Sequence, residues 1–437
     1  MNYKDAVNWI YGLEGRGIKL GLSNIEKLLA SLNNPHRAYP VILVGGTNGK
    51  GSVASFLAHI LTEAGLRVGL YTSPHLITLR ERITLLERGE SVYIPRRRIA
   101  ELIKLTKKKI EEEFPDPASS FPTYFEVLTA ISFLYFKEEK IDIAVYEVGL
   151  GGRLDATNIV TPILSIITDI DLEHTNYLGE TLSSIATEKG GIIREYTPVV
   201  TGSNGEALDV LIRLAEEKNA PIFIWGKDFL LKNWEEENSH QLLDIQGIKD
   251  FYPKISIYLK GRWQHLNCSL AVAASEILSA HLPIRREHIY RGVEKTTWPG
   301  RLEIIGKKPI FILDGAHNPQ ASRMLKEEIL KLRKGKNLTL LFGVLRDKER
   351  SKIMQEIFPV ADEIIILEPK SRRAVPVETL RKEGRVYNKN TKMSRSLFST
   401  IKNLKKSKSR GDIILICGSL YLVGEARSIL LKKKQDL

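Results

Sequence analysis

The stretch "VILVGGTNGKGSVASFLAHILTEAG", residues 41–65, carries the residues best suited to hold a phosphate. Gly45, Gly46, Gly49 and Gly51 let the backbone turn tightly with its N–H groups facing inward. A helix starting near Lys50 adds the positive end of its dipole. Lys50 can reach β- and γ-phosphates, and the Ser52 hydroxyl is a ligand type for Mg²⁺. The spacing differs from the ordinary P-loop: Val44, not glycine, stands five residues before Gly49, and Gly51 separates Lys50 from Ser52. Strand, glycine turn, lysine, hydroxyl and helix in that order predict a nucleotide-phosphate cradle.

A triphosphate brings Mg²⁺, a hard cation that takes oxygen ligands. Oxygen donors stand where apolar runs end: Ser73 closes "GLYTS", and Glu147 closes "IAVYE". His174, in "DLEHTN", follows the run "ILSIITDI". In open α/β sheets ligands gather at the carboxyl ends of strands. Alone, His174 reads as a loop histidine with local hydrogen bonds. Glu147 is harder to read as structural, because burying a carboxylate costs roughly several kcal/mol unless a cation or hydrogen bonds offset it. Lys189, in "ATEKGGI", reads locally as a cation near a helix C-terminus. Further on, Arg301 in "WPGRLEII" can neutralise phosphate charge, and Asp314 in "FILDGAHNP" can accept ribose hydroxyls. His317 has no G-x-S-x-G serine to serve, so it does not read as the base of a hydrolase.

The elements that must position these residues are legible as an alternation. "VILVGG", the helix "KGSVASFLAHILTEAG" and the strand "RVGLYTS" are followed by the helix "YFEVLTAISFLYFKEEK" and the strands "IDIAVYEVG" and "ILSIITDI". Apolar strands joined by helices predict an α/β fold with a mainly parallel sheet covered on both faces. Turn-rich alternation from about residue 229 to 259 predicts a small antiparallel addition. A second, smaller α/β domain begins after the Pro-Gly punctuation at Trp298-Pro299-Gly300. The division expected is 1–296 for the domain that holds the phosphate turn and 297–437 for the C-terminal domain.

The motifs together carry a resemblance. "GTNGKGS" resembles the nucleotide loop of the Mur ligase superfamily. With "YTSPHL…ERI", "TYFEVLTA", "EVGLGGRLDATNIV", "EHTNYLGETLSSIATEKGGI", "WPGRLE", "DGAHNPQA" and "CGSLYLVGEAR", in that order, the chain is similar to the folylpolyglutamate synthase and dihydrofolate synthase family. The resemblance implies an ATP-dependent ligase that joins L-glutamate to a folate, or to dihydropteroate, through an acyl phosphate. It implies ATP contacts from Gly46, Thr47, Asn48, Gly49, Lys50, Gly51, Ser52, Asn267, Arg301 and Asp314, with Asn267 near the base. It places Ser52, Ser73, Glu147, His174 and Lys189 around two Mg²⁺ ions, and implies that Lys189 is carboxylated by CO₂. Lys50, Lys189 and His174 are its catalytic candidates. Pterin contacts are implied for residues 17–20, for Thr123, Tyr124, Phe125 and Glu126, and for Leu154, Asp155 and Ala156, with His317 on the substrate side. Phe125 could stack on a pterin and Asp155 could hydrogen-bond it, although Phe125 also fits a helix core position. Some bifunctional relatives carry an acidic residue where Lys19 stands here, a departure that bears on dihydropteroate more than on chain extension.

Bulk properties narrow the alternatives. A chain of 437 residues with 43% hydrophobic and 27% charged content is that of a two-domain soluble protein. No run reaches the eighteen apolar residues or so of a membrane span, and the N-terminus lacks a signal-peptide h-region. Two distant cysteines argue against disulfides or zinc and for a reducing cytoplasm. The net charge of +13 suits polyanionic small molecules, and the basic runs lack a nucleic-acid motif. The partners that the resemblance implies are folate or dihydropteroate, glutamate and ATP; no nucleic acid or membrane partner is expected, and the protein is expected to be a monomer. The other readings are a Mur-type ligase for another carboxylate, a non-ligating nucleotide-binding protein, and a nucleic-acid-dependent ATPase. Peptidoglycan-precursor ligases usually carry a nucleotide-sugar domain ahead of the loop, and few residues precede Gly45 here.

Overall fold

The apolar runs of the sequence become the inner strands of two sheets. The computed structural model describes residues 1–17, 19–116, 121–237 and 239–432. The larger sheet contains β1 (Val41–Gly45), β2 (Val68–Tyr71), β3 (Ile83–Glu87), β4 (Glu90–Tyr93), β5 (Ile143–Glu147), β6 (Leu164–Ile167), β7 (Val199–Thr201) and β8 (Ile222–Ile224). Its order is β4-β3-β2-β5-β1-β6-β7-β8. All strands from β2 to β8 in that order run parallel, and β1 is flanked by β5 and β6. Every residue of β1, β2, β5 and β6 is buried, which is why these segments read as unbroken apolar runs.

The edge departs from the parallel pattern. β3 pairs antiparallel with β2, and β4 antiparallel with β3. The turn between them is Arg88-Gly89, both at positive φ. The sequence "LLERGESVY" holds that turn signal, but β4 is exposed throughout and has no apolar pattern to announce a strand.

The helix Lys50–Glu63 packs between the sheet and two later helices, Trp263–Leu278 and Arg286–Lys295. Eleven of its residues are buried, so its apolar stripe widens nearly all round. The predicted antiparallel addition is the three-stranded β9 (Leu230–Glu236), β10 (Gln241–Gln246) and β11 (Phe251–Ile257).

The second sheet contains β12 (Glu303–Ile305), β13 (Ile310–Leu313), β14 (Leu338–Phe342), β15 (Glu363–Ile366), β16 (Thr391–Met393) and β17 (Ile413–Cys417), in the order β12-β13-β17-β14-β15-β16. It is parallel except for β12 at its edge. Among the described residues no helix is long and apolar enough to cross a membrane. Both cysteines are buried free thiols.

Candidate active site

The carboxyl ends of neighbouring strands bring the polar candidates together. Gly46 to Gly49 follow β1, Ser73 follows β2, Glu147 ends β5, and the segment from Thr168 to His174 follows β6. That is the crevice where a doubly wound sheet binds its ligand.

The glycine turn is held by the loop after β6. Thr47 N–H donates to the Asp169 carbonyl at 2.7 Å, Asn48 N–H donates to Asp169 Oδ1 at 2.8 Å, and Thr168 Oγ1 donates to Asn48 O at 2.6 Å. Gly46 has φ +125°, and a Cβ there would lie 1.9 Å from Thr168 Oγ1. Gly49, at φ +85°, would place a Cβ 2.2 Å from Asn267 Oδ1. Asn267 thus backs the turn itself, and its amide donates to Gln264 Oε1 at 2.9 Å. Gln264 in turn donates to the Ser52 hydroxyl at 3.4 Å. The helix begins at Lys50, as the motif predicts, and Gly51 at its start lies against the Trp298 ring.

Lys50 folds back over the turn, its ammonium donating to the carbonyls of Thr47 at 2.9 Å and Gly46 at 3.2 Å. It lies within electrostatic reach of Glu147, Asp169, His174 and Lys189. The Glu147 carboxylate accepts the Ser73 N–H at 2.9 Å. Burial raises the Glu147 carboxyl, while Lys50, the Ser73 N–H and Arg301 oppose that. Lys189 is buried in the last turn of the helix Leu182–Gly190, and its amine donates to Gly46 O at 2.6 Å. Burial, then the neighbouring Lys50 charge, lowers its pKa to about 7. His174 caps the one-turn helix Thr175–Leu178 at φ +54°, and burial followed by the Lys348 charge lowers its pKa to about 4.

These groups fit a hard cation in donor type, though sparsely. Among the described residues no cluster of three or more His, Cys, Asp or Glu side chains forms a metal cage. Glu147 is the one carboxylate among the five candidate ligands, so phosphate oxygens or a carbamate on Lys189 would complete an anionic set.

The second lobe closes on the same crevice. Asn318 donates to Asn48 Oδ1 at 3.0 Å, and Asn48 donates to Gln320. Asp314 directly follows β13 and accepts the N–H groups of Leu302 and Ala316, each at 2.8 Å. Arg301 lies near it and within reach of Glu147. Glu173 pairs with Lys348 at 3.2 Å and with His317 at 3.5 Å, joining the two lobes. Burial alone would raise the Glu173 carboxyl, but His317 and Lys348 hold it well below the usual carboxylate range.

Comparison with known proteins decides the family. The Mur ligase middle domain matches residues 44–275, and the Mur ligase glutamate ligase domain matches residues 300–420. The dihydrofolate synthase/folylpolyglutamate synthase of Bacillus subtilis is 35% identical over 98% of this chain and 99% of its own. The folylpolyglutamate synthase of Lacticaseibacillus casei is 30% identical over 99% of this chain and 100% of its own. This chain belongs to the folylpolyglutamate synthase/dihydrofolate synthase family of Mur ligases. The folylpolyglutamate synthase structure from Thermotoga maritima matches with a TM-score of 0.85 at 35% identity, covering 99% of this chain and 97% of that one. The Mycobacterium tuberculosis enzyme complexed with ADP matches with a TM-score of 0.89 at 28% identity, covering 98% and 99%. A relative solved with AMPPCP and folate matches with a TM-score of 0.83 at 27% identity, covering 99% and 100%.

Within this folylpolyglutamate synthase-type fold, the residues expected at the pterin are largely engaged in shaping the site. Thr123 and Glu126 form a capping box: Glu126 accepts the Thr123 N–H at 2.7 Å, and Thr123 Oγ1 accepts the Glu126 N–H at 3.3 Å. Asp155 accepts from Gly149 N–H, Leu150 N–H, Thr157 N–H and Thr157 Oγ1 at 2.7–3.1 Å. Both its oxygens are committed to folding the "EVGLGG" turn, so a hydrogen bond from Asp155 to a ligand would have to share them. Phe125 lies against Gly149 and 6.0 Å from the Tyr71 ring, and Tyr124 stacks on Tyr11 at 5.9 Å. Leu154 is half-buried and Ala156 buried beside them. Of residues 17–20, Ile18 lies outside the described residues, and Lys19 is exposed within electrostatic reach of Glu126.

Asp169, Glu173, Gln264, Gln320 and Lys348 are site residues that reading by motif passed over. Glu173 had a signal, since it stands beside His174 in "DLEHTN". Gln264 and Gln320 had none, being single amides in helices.

Proposed function

We propose that this protein uses ATP to join the amine of L-glutamate to a carboxylate of a folate, with dihydropteroate as a second acceptor to be tested. The observation that carries the reading is the convergence on one crevice of the glycine turn with Lys50, the buried Glu147–Ser73 pair, Lys189, and Arg301 and Asp314 of the second lobe. A nucleotide-sensing protein has no use for a buried carboxylate and a buried lysine flanking the phosphate turn. The relatives are named for this ligation, and their solved complexes contain ADP, AMPPCP and folate.

Chemistry orders the residues. A carboxylate does not condense with an amine in water, because its oxygen is a poor leaving group. Its oxygen therefore attacks the γ-phosphorus, the bond to ADP breaks, and an acyl phosphate forms. The glutamate amine attacks the acyl carbon, phosphate leaves, and the amine loses a proton as the amide forms. Lys50 and the N–H groups at the start of the helix Lys50–Glu63 stabilise charge on the transferring phosphoryl group, while those of Thr47 and Asn48 fix the turn on Asp169. Arg301 and Asp314 orient the nucleotide from the second lobe, and lobe closure excludes water from the acyl phosphate. His317 and Lys348 of the second lobe hold the crevice between the lobes through Glu173.

Ser52, Ser73, Glu147 and His174 are the side chains that would hold Mg²⁺. When bound, it neutralises phosphate charge and polarises the phosphoryl oxygens. Lys189, with its pKa near 7, presents the neutral amine that adds to CO₂, losing a proton to give a carbamate. That converts a buried cation into an oxygen-donor anion for a second ion. The proposed division is an ATP-binding domain over 1–296 and a C-terminal domain over 297–437, supported by the gap between the helix Arg286–Lys295 and β12. The protein is read as a cytoplasmic monomer.

The test is incubation of pure protein with ATP, L-glutamate and either tetrahydrofolate or dihydropteroate, with products read by mass. A gain of one or more glutamyl residues with equimolar ADP is expected on tetrahydrofolate. ADP release with no amide product from either acceptor overturns the reading.

A further inference from the structure

Beside the phosphate crevice lies a buried cation that this scheme leaves unused. Arg82, at the end of the short helix Leu79–Arg82, is only 6% exposed. Its Nε donates to His75 Nδ1 at 3.0 Å. A guanidinium can only donate, so His75 Nδ1 carries the lone pair and its Nε2–H donates to the Tyr11 hydroxyl at 3.0 Å. The guanidinium carbon lies over the Tyr124 ring at 5.4 Å, and that ring stacks on Tyr11. One edge of the guanidinium is therefore tied down, and an aromatic ring packs against it.

The remaining edge is free. Among the described residues, no carboxylate forms an ion pair with Arg82, and Nη1 and Nη2 have no hydrogen-bond acceptor. A buried charge without a partner is expensive, and a fixed end-on fork of two N–H donors matches a carboxylate. Arg82 stands beside the phosphate site: its carbonyl accepts the N–H of Thr72, next to Ser73 whose N–H donates to Glu147, and it lies within electrostatic reach of that carboxylate. Tyr421 of the second lobe lies close to it as well, and Glu14, which also feels Arg372 and Arg373, lies within electrostatic reach without closing an ion pair on it.

We propose that Arg82 clamps the non-reacting carboxylate of the acceptor, the α-carboxylate of a folate's glutamate tail. The proposal rests on the folate-ligase reading above. Reaction chemistry chooses between the two carboxylates of that tail. The reacting one must give an oxygen to phosphorus and lose its charge, which a bidentate clamp on both oxygens opposes. The α-carboxylate keeps both oxygens and its charge throughout.

The experiment compares tetrahydrofolate with its α-carboxamide, in which the same group is neutral, using the wild-type protein, Arg82→Gln and Arg82→Lys. With the wild type, KM for the amide is expected to exceed that for the acid by about tenfold to a hundredfold, the range of a charged hydrogen-bonded pair. Arg82→Gln should raise KM for tetrahydrofolate by a similar factor and leave KM for the amide within about twofold, and Arg82→Lys should recover part of the loss. Equal use of acid and amide by the wild type overturns the clamp, a comparison that requires no variant to fold. An equal rise in both KM values in Arg82→Gln, or a shift confined to KM for L-glutamate, also overturns it. If wild-type protein makes no product from tetrahydrofolate at all, the ligase reading has failed rather than the clamp.

Discussion

At the scale of single residues, the site is a set of polar groups that the fold buries and must compensate. Lys189 is the sharpest case, an amine sealed against Gly46 with its pKa near 7. Lys189→Ala should lower kcat on the order of a hundredfold or more, as loss of a metal-site or charge-stabilising group does. Activity of the wild type should fall in CO₂-depleted buffer and return with bicarbonate. Steady-state ADP release measures both, and a fully active Lys189→Ala contradicts the carbamate. Gly49→Ala should raise KM for ATP at least tenfold, because the new Cβ meets Asn267 at 2.2 Å and the turn cannot keep its positive φ. Ser73 and Glu147 stood out as polar residues closing apolar runs, whereas Lys189 read locally as an ordinary helix-end cation and was singled out only by the family resemblance. Asp169, Gln264 and Gln320 were not, since their roles come from partners more than a hundred residues away and leave no local mark.

At the scale of elements, the buried parallel strands were legible from continuous apolar runs, and the edge hairpin β3–β4 was not, because an exposed strand needs no such run. The connection from the helix Ser23–Ser31 into β1 holds a further buried group. His36, in the turn Pro35–Arg37, packs edge-on to Phe133 and is 7% exposed. Burial, then the neighbouring Arg37 charge, lowers its pKa from 6.5 to about 4. Between those two values the unfolded chain binds more protons, so stability falls as pH drops from about 6.5 towards 4. From pH 7 to pH 5 this one group should cost about 2 kcal/mol. Urea unfolding at the two pH values should show that loss in the wild type and a correspondingly smaller one in His36→Gln. An identical acid loss in both proteins contradicts the assignment.

At the scale of the whole molecule, two α/β lobes face each other across the carboxyl ends of their strands, and Glu173 ties them through Lys348 and His317. Two lobes were expected from length and from the restart of the strand–helix alternation, but the residues that join them were not. Glu173→Gln should lower kcat at least tenfold while the unfolding midpoint moves by no more than about 3 °C, since the pair positions the lobes more than it stabilises either. Kinetics and thermal unfolding on the same preparation separate the two effects. The central claim is that the crevice transfers a γ-phosphoryl group to the acceptor's carboxylate before the amide forms. Tetrahydrofolate labelled with ¹⁸O in both oxygens of its γ-carboxylate, turned over with unlabelled ATP and L-glutamate, measures this directly by the mass of the inorganic phosphate released. One ¹⁸O in each phosphate is the predicted result, and unlabelled phosphate accompanying glutamylated product would contradict the account.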